Sequence, residues 1–253
     1  MRVLASIVCC ACGRVGFDAS VDSGSTDSGN TDTPVVERAV LLANSINSVT
    51  NLYRLDLDTA TTIELGPLGP IAVTGLTWTD AGELWGVRFD GELIHITVAP
   101  FGATVLGVVP SMLIGVENTP SGLLGVAEVT NEASLITPDP PFTSAPLGIV
   151  QTPGGAALAI AGGGFARDET TTYMWTNGTD AGLFAIQGGV ATRLLTPSRS
   201  DFLTGITFVG DELFAVSRTT NELLVIDRGN GAFTQTMTLD LMIGSSALAP
   251  VAP

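Results

Sequence analysis

The chain is 253 residues long, and its 25 acidic residues face 10 basic ones, all arginine, for a formal charge of −15. That balance argues against nucleic acid, which demands a cationic footprint, and against electrostatic docking on anionic lipid. Charged residues make up 14% of the chain and hydrophobic ones 45%, and 30 glycines with 14 prolines favour many short strands and tight turns over long helices.

The chain starts with an apolar run over residues 3–12 (VLASIVCCAC), which follows Arg2 and contains all three cysteines, Cys9, Cys10 and Cys12. Ten residues are too few to cross a bilayer, which takes about 20, so the run reads as the apolar centre of a signal peptide. Ala11 followed by Cys12 resembles the end of a bacterial lipoprotein signal, where a small residue precedes the lipidated cysteine. Cys10 fits that pattern less well, because Val8 and Cys9 stand before it. The resemblance implies a signal peptide over residues 1–11, lipidation at Cys12, and an extracytoplasmic protein of the cell envelope held to the membrane by its lipid anchor. It favours the outer membrane, since Gly13 stands where an aspartate often retains lipoproteins at the inner one. A plain secretory peptide and a buried N-terminal strand are the alternatives. With Cys12 lipidated, the mature chain has no cysteine left for disulfides, metal clusters or nucleophilic catalysis.

Residues 18–33 (DASVDSGSTDSGNTDT) carry four aspartates and no basic or aromatic residue. Such a stretch cannot bury enough apolar surface to offset its ordering entropy, so residues 12–34 are expected to form a disordered tether. The aspartates recur every four or five positions, unlike the alternating ligands of a calcium loop.

From residue 35 to 253 the pattern changes to apolar runs separated by Gly, Pro, Asn and Asp, and it repeats. TGLTWTDAGELWGV (residues 74–87) matches TGITFVGDELFAV (residues 204–216) across a one-residue gap, and each is followed by a turn and another apolar strand. Copies of that last strand begin at 52, 93, 134, 183 and 223, a spacing near 40 that is the period of a β-propeller blade. The longest gap, from 134 to 183, is assigned to an extended turn over the glycine-rich residues 162–172. The first unit lacks an inner strand, and residues 243–249 offer one, so the ring is expected to close on the C-terminal strand, which removes free edges. The expectation is an all-β propeller of five blades, each of about four strands, with six blades as the main alternative if residues 99–150 hide another. LLVIDRGNGAF (residues 223–233) and LYRLDLDTA (residues 52–60) resemble the NHL and YVTN type of bacterial propeller repeats, which implies the same architecture.

Chemistry is sparse in this sequence. His95 is the only histidine, and it lies within a strand, so the usual zinc and copper sets cannot be assembled, and a serine–histidine–aspartate triad would have to use His95 without a G-x-S-x-G elbow. An oxygen-only metal site remains open, since propellers of the lactonase type hold calcium in a central channel, and Glu117, Asn118, Asp80 and Asp201 near inner strands are the candidate ligands. Gly162, Gly163 and Gly164 lack the lysine of a phosphate loop and read as a loop or bulge. Asn177–Gly178 reads as the turn before the strand at Leu183. Trp78, Trp85, Phe208 and Phe214 recur at matching repeat positions, as expected of packing between blades. No catalytic or cofactor-binding residue is assigned and no cofactor is expected. The reading is a monomeric, membrane-tethered module that binds a protein or a small molecule. The alternative is a calcium-dependent propeller enzyme of the lactonase or lyase type.

Overall fold

A computed structural model describes residues 38–109, 112–187, 189–197, 201–230 and 232–251. The expected signal peptide, Cys12 and the tether lie outside the described residues. The rest forms five four-stranded antiparallel sheets arranged as a five-bladed β-propeller. The first blade holds β1 (Ala39–Ile46), β2 (Val49–Asp56) and β3 (Thr62–Gly69). The second runs through β4 (Val73–Trp78), β5 (Leu84–Arg88), β6 (Glu92–Val98) and β7 (Phe101–Val108). The third contains β8 (Leu113–Thr119), β9 (Gly122–Ala127), β10 (Glu132–Ile136) and β11 (Ser144–Ile149). The fourth contains β12 (Gly163–Arg167), β13 (Thr172–Thr176), β14 (Gly182–Gln187) and β15 (Val190–Leu195). The fifth contains β16 (Leu203–Val209), β17 (Glu212–Ser217), β18 (Glu222–Ile226) and β19 (Phe233–Thr238). The last strand, β20 (Ser245–Pro250), completes the first blade by pairing antiparallel with β1, Leu248 opposite Leu42. The ring thus closes as the sequence predicts, and residues 99–150 hold no sixth blade.

Each of the five repeat starts falls in or beside the third strand of its blade. The physical reason for the apolar runs is that the inner three strands are covered on both faces. In β17, Leu213 and Ala215 pack toward the fourth blade while Phe214 and Val216 pack toward the first. The buried side chains accordingly fall into five clusters, one between each pair of neighbouring blades. A strand buried on both sides reads as a continuous apolar run instead of an alternation. Outer strands behave differently. β11 is exposed along its whole length, and every pairing of a third strand with its outer strand carries a bulge. Pro67 and Pro146 sit in outer strands, where a missing N–H costs no ladder bond. Bulges and proline protect such an edge from pairing with another chain.

One sequence assignment needs correction. The long interval before the fourth blade is not taken up by residues 162–172, because Gly163 and Gly164 belong to the inner strand β12. The extra residues lie in the connection before it, where Gln151 bridges to both Ala157 and Val190. The sequence signal misleads because Gly163, at φ +127°, resembles a loop residue. A Cβ there would lie 1.9 Å from the Trp175 carbonyl oxygen, so only glycine fits this strand position. The Asn177–Gly178 turn is where the sequence places it, as a single 3-10 turn over Gly178–Asp180.

Candidate functional site

The Thr-Gly-aliphatic motif of the inner strands explains the centre of the ring. A Cβ on Gly75 would lie 2.4 Å from the backbone nitrogen of Val116, and one on Gly205 would lie 3.1 Å from that of Leu248. Gly75, Gly115, Gly164, Gly205 and Ala247 therefore let the five inner strands converge. The channel narrows at this waist to a space of about 10 Å³, too small for a ligand. Two separate mouths remain, one where the inner strands begin and one where they end.

The upstream mouth is a cavity of about 280 Å³. Bulges at the start of β4 and β16 place Thr74 and Thr204 in it. Their hydroxyls are engaged within the ring: Thr74 Oγ1 donates to the Leu113 carbonyl at 2.7 Å, and Thr204 shares a short hydrogen bond with Ser246. Around this level the residues just before the inner strands hydrogen-bond to those just after the second strands. Phe89 N–H donates to the Ala72 carbonyl, Glu128 N–H to Met112, and Arg218 N–H to Phe202. These turns present Phe89 and Phe202 at the rim, each 39% exposed, with Glu128 and Arg218 beside them.

The downstream mouth holds about 180 Å³ and is more polar. Two residues past the waist, the blades carry Thr77, Glu117, Ala166, Thr207 and Ala249, so one carboxyl stands in a ring of hydroxyls and methyls. Glu117 Oε1 accepts from Thr77 Oγ1 at 3.1 Å and from the Asn118 N–H at 3.0 Å. Burial pushes the Glu117 carboxyl up to about 7, the largest influence, against the opposing pull of those two donors and of the Arg167 charge. Asp168 stands close by with the opposite character. Burial alone would raise it, but donation from the Thr170 N–H, the Tyr173 hydroxyl, the Thr171 N–H and the Thr170 hydroxyl outweighs burial and holds it down at about 2. Arg228 adds an ion pair at 3.0 Å.

Of the four candidate metal ligands, three meet at this downstream end. Asn118 Nδ2 donates to Asp80 Oδ1 at 2.8 Å, beside Glu117. Asp201 precedes β16 and belongs to the opposite end. Among the described residues, no group of three or more His, Cys, Asp and Glu side chains is placed to hold a metal ion. His95 is half-buried within β6, opposite Trp85 and Thr104, away from both mouths. Among the aromatics, Trp85 and Phe214 pack between blades as expected. Trp78 and Phe208 also wall the downstream mouth, and the Trp78 indole N–H donates to the Pro250 carbonyl at 2.7 Å. Arg167 is a site residue the sequence reading missed. Its position at the end of an inner strand, matching Trp78 and Phe208, is the available signal, obscured by reading residues 162–172 as a turn.

No protein-family model matches the sequence, and no curated protein matches it either. Solved structures do match. A chain in a crystal structure of a nidogen/laminin complex aligns with a TM-score of 0.53 at 10% identity, over 83% of this chain and 98% of that one. Glutaminyl cyclase of Myxococcus xanthus aligns with a TM-score of 0.52 at 14% identity, over 76% of this chain and 99% of that one. At these identities the likeness establishes the fold alone.

Proposed function

We propose that this chain is an exported, monomeric lipoprotein, anchored through Cys12, whose propeller is a binding module receiving a protein partner at the upstream mouth. The observation that carries the binding role is the pair of exposed rings, Phe89 and Phe202, at the rim of a 280 Å³ concavity. Large apolar side chains grouped at the edge of a pocket favour desolvation by a partner, and aromatic residues dominate binding energy at interfaces. The Thr74, Thr204 and Ser246 hydroxyls beneath the rim are already engaged within the ring, which fits an apolar contact better than recognition of a small polar molecule. One structural neighbour was crystallised in a nidogen/laminin complex, so this fold is compatible with partner binding. The cysteine pattern and the aspartate-rich tether support the address.

A photo-crosslinking residue placed at Phe202 or at Glu169, in cells carrying the full chain, tests the binding role. A discrete adduct from Phe202 that disappears with Phe89→Asp, and none from Glu169, is the expected result. Equal labelling from both ends, or none, would remove the proposal. The address is tested separately by labelling with a fatty-acid analogue, which should be lost in Cys12→Ala.

The enzyme alternative has one observation of its own, the Glu117 carboxyl poised near neutrality within a cavity, where such groups serve as proton carriers. The carboxylate set that a calcium-dependent version would use is not assembled among the described residues.

A further inference from the structure

The downstream mouth contains inner-strand polar groups that the fold leaves unused, whereas the inner-strand hydroxyls of Thr74 and Thr204 upstream are engaged. Glu117 Oε1 takes both hydrogen bonds given to that carboxyl, which leaves Oε2 for a ligand. The Thr207 hydroxyl lines the cavity from a buried position and has no partner among the described residues. Among the described residues, the Arg167 guanidinium has only a 3.5 Å contact with the Glu169 carbonyl and no ion pair.

The other charges around Glu117 are committed. Asp168 is bound to Arg228 and to Tyr173, the latter at 2.8 Å, and Asp80 is bound to Asn118. Among the described residues lining the cavity, the charge left without an ion pair is therefore the Arg167 cation, beside a carboxyl that burial disposes to be neutral. That combination selects an anion over an amine. The aromatic rings of Trp78 and Phe208 offer an apolar wall, and 180 Å³ limits the occupant to a small molecule.

We propose that the downstream mouth is a binding site for a small aromatic or aliphatic carboxylate, held by Arg167, Thr207 and the carboxyl group of Glu117, with its apolar body against Trp78 and Phe208. In the bound state the Glu117 proton sits on Oε2 and is donated to one ligand oxygen, while Arg167 and Thr207 donate to the ligand's carboxylate. An ionised Glu117 would face the ligand as a like charge, so binding above neutral pH takes up a proton and no bond is made or broken.

The test is calorimetric titration of the full chain with benzoate, phenylacetate and acetate at pH 6 and pH 8. A carboxyl titrating near 7 is about nine-tenths protonated at pH 6 and about one-tenth at pH 8, so affinity should fall about tenfold between them. At pH 8, repeating the titration in buffers of different ionisation enthalpy should show uptake of about 0.9 proton in the unaltered protein. Glu117→Gln should bind equally at both pH values, and Arg167→Gln should bind at neither, with circular dichroism matching the parent. Failure of all three carboxylates to bind at pH 6 overturns the proposal. So does pH dependence that persists in Glu117→Gln, absence of proton uptake, or binding of benzylamine in their place.

Discussion

The two mouths of this propeller are made from the same five strands, yet they differ in how their polar atoms are used. Upstream, the inner-strand hydroxyls of Thr74, Thr204 and Ser246 satisfy one another or a neighbouring carbonyl, below a rim that carries Phe89 and Phe202 beside Glu128 and Arg218. Downstream, Glu117, Thr207 and Arg167 retain unspent capacity in a smaller cavity. The backbone does not cause this difference, since the inner strands pass from one mouth to the other through the same glycine waist. It comes from single departures from the repeat. Glu117 stands where other blades have threonine or alanine, and Arg167 stands where two others have Trp78 and Phe208. In a ring of copies, the positions that break the repeat are the ones to examine for function.

The separation of the mouths depends on the waist, and breaking it should have the largest effect. In Gly75→Val, a Cβ must come within 2.4 Å of backbone in the next blade, a collision that side-chain movement cannot relieve. A loss of about 3 kcal/mol or more is expected, lowering the melting temperature by roughly 6–12 °C for a domain of this size. An unchanged melting curve would mean that the inner strands are not packed this closely.

Glu117 gives the next effect. Its folded-state value lies above the ordinary 4.5, so the folded chain holds the extra proton, and stability is lost as pH rises from about 4.5 through about 7. Glu117→Gln should therefore stabilise the protein by about 1–3 kcal/mol at pH 8 and hardly at all at pH 4. Urea unfolding at the two pH values measures this, and an equal gain at both would show that the carboxyl is not buried against its charge.

Asp168 should respond with the opposite sign. Its value is held below the ordinary 3.8, so its contribution is present above that pH and disappears as pH falls through about 2. Asp168→Asn should cost about 1–2 kcal/mol at pH 7, with the deficit closing on acidification. A deficit that is constant from pH 7 to pH 2 would assign the loss to packing.

The smallest change in stability is expected upstream. Phe89→Ala combined with Phe202→Ala removes side chains that are each 39% exposed, so the melting temperature should move by no more than a few degrees. The same pair should weaken partner crosslinking about tenfold or more. Large destabilisation without loss of crosslinking would place these rings in the core and not on an interface.

The sequence by itself determined the architecture. Strands buried on both faces must be continuously apolar, each blade needs the same set, and the set therefore recurs near every 40 residues, visibly enough to count five blades and to find the closing strand. Asn177–Gly178 was legible for a similar reason, because turn geometry is local. The tertiary structure decided where residues distant in the chain converge. Gly163 looks like a loop residue until Trp175 is placed against it, and Arg167 has no role until the ring brings it beside Glu117, 50 positions earlier. Asp201 and Glu117 both lie near inner strands, and their spacing gives no sign that they belong to opposite ends. A period in the sequence reports which face of a strand is buried. Which unmatched side chains share a cavity depends on closure of the ring, a non-local event that no single repeat encodes.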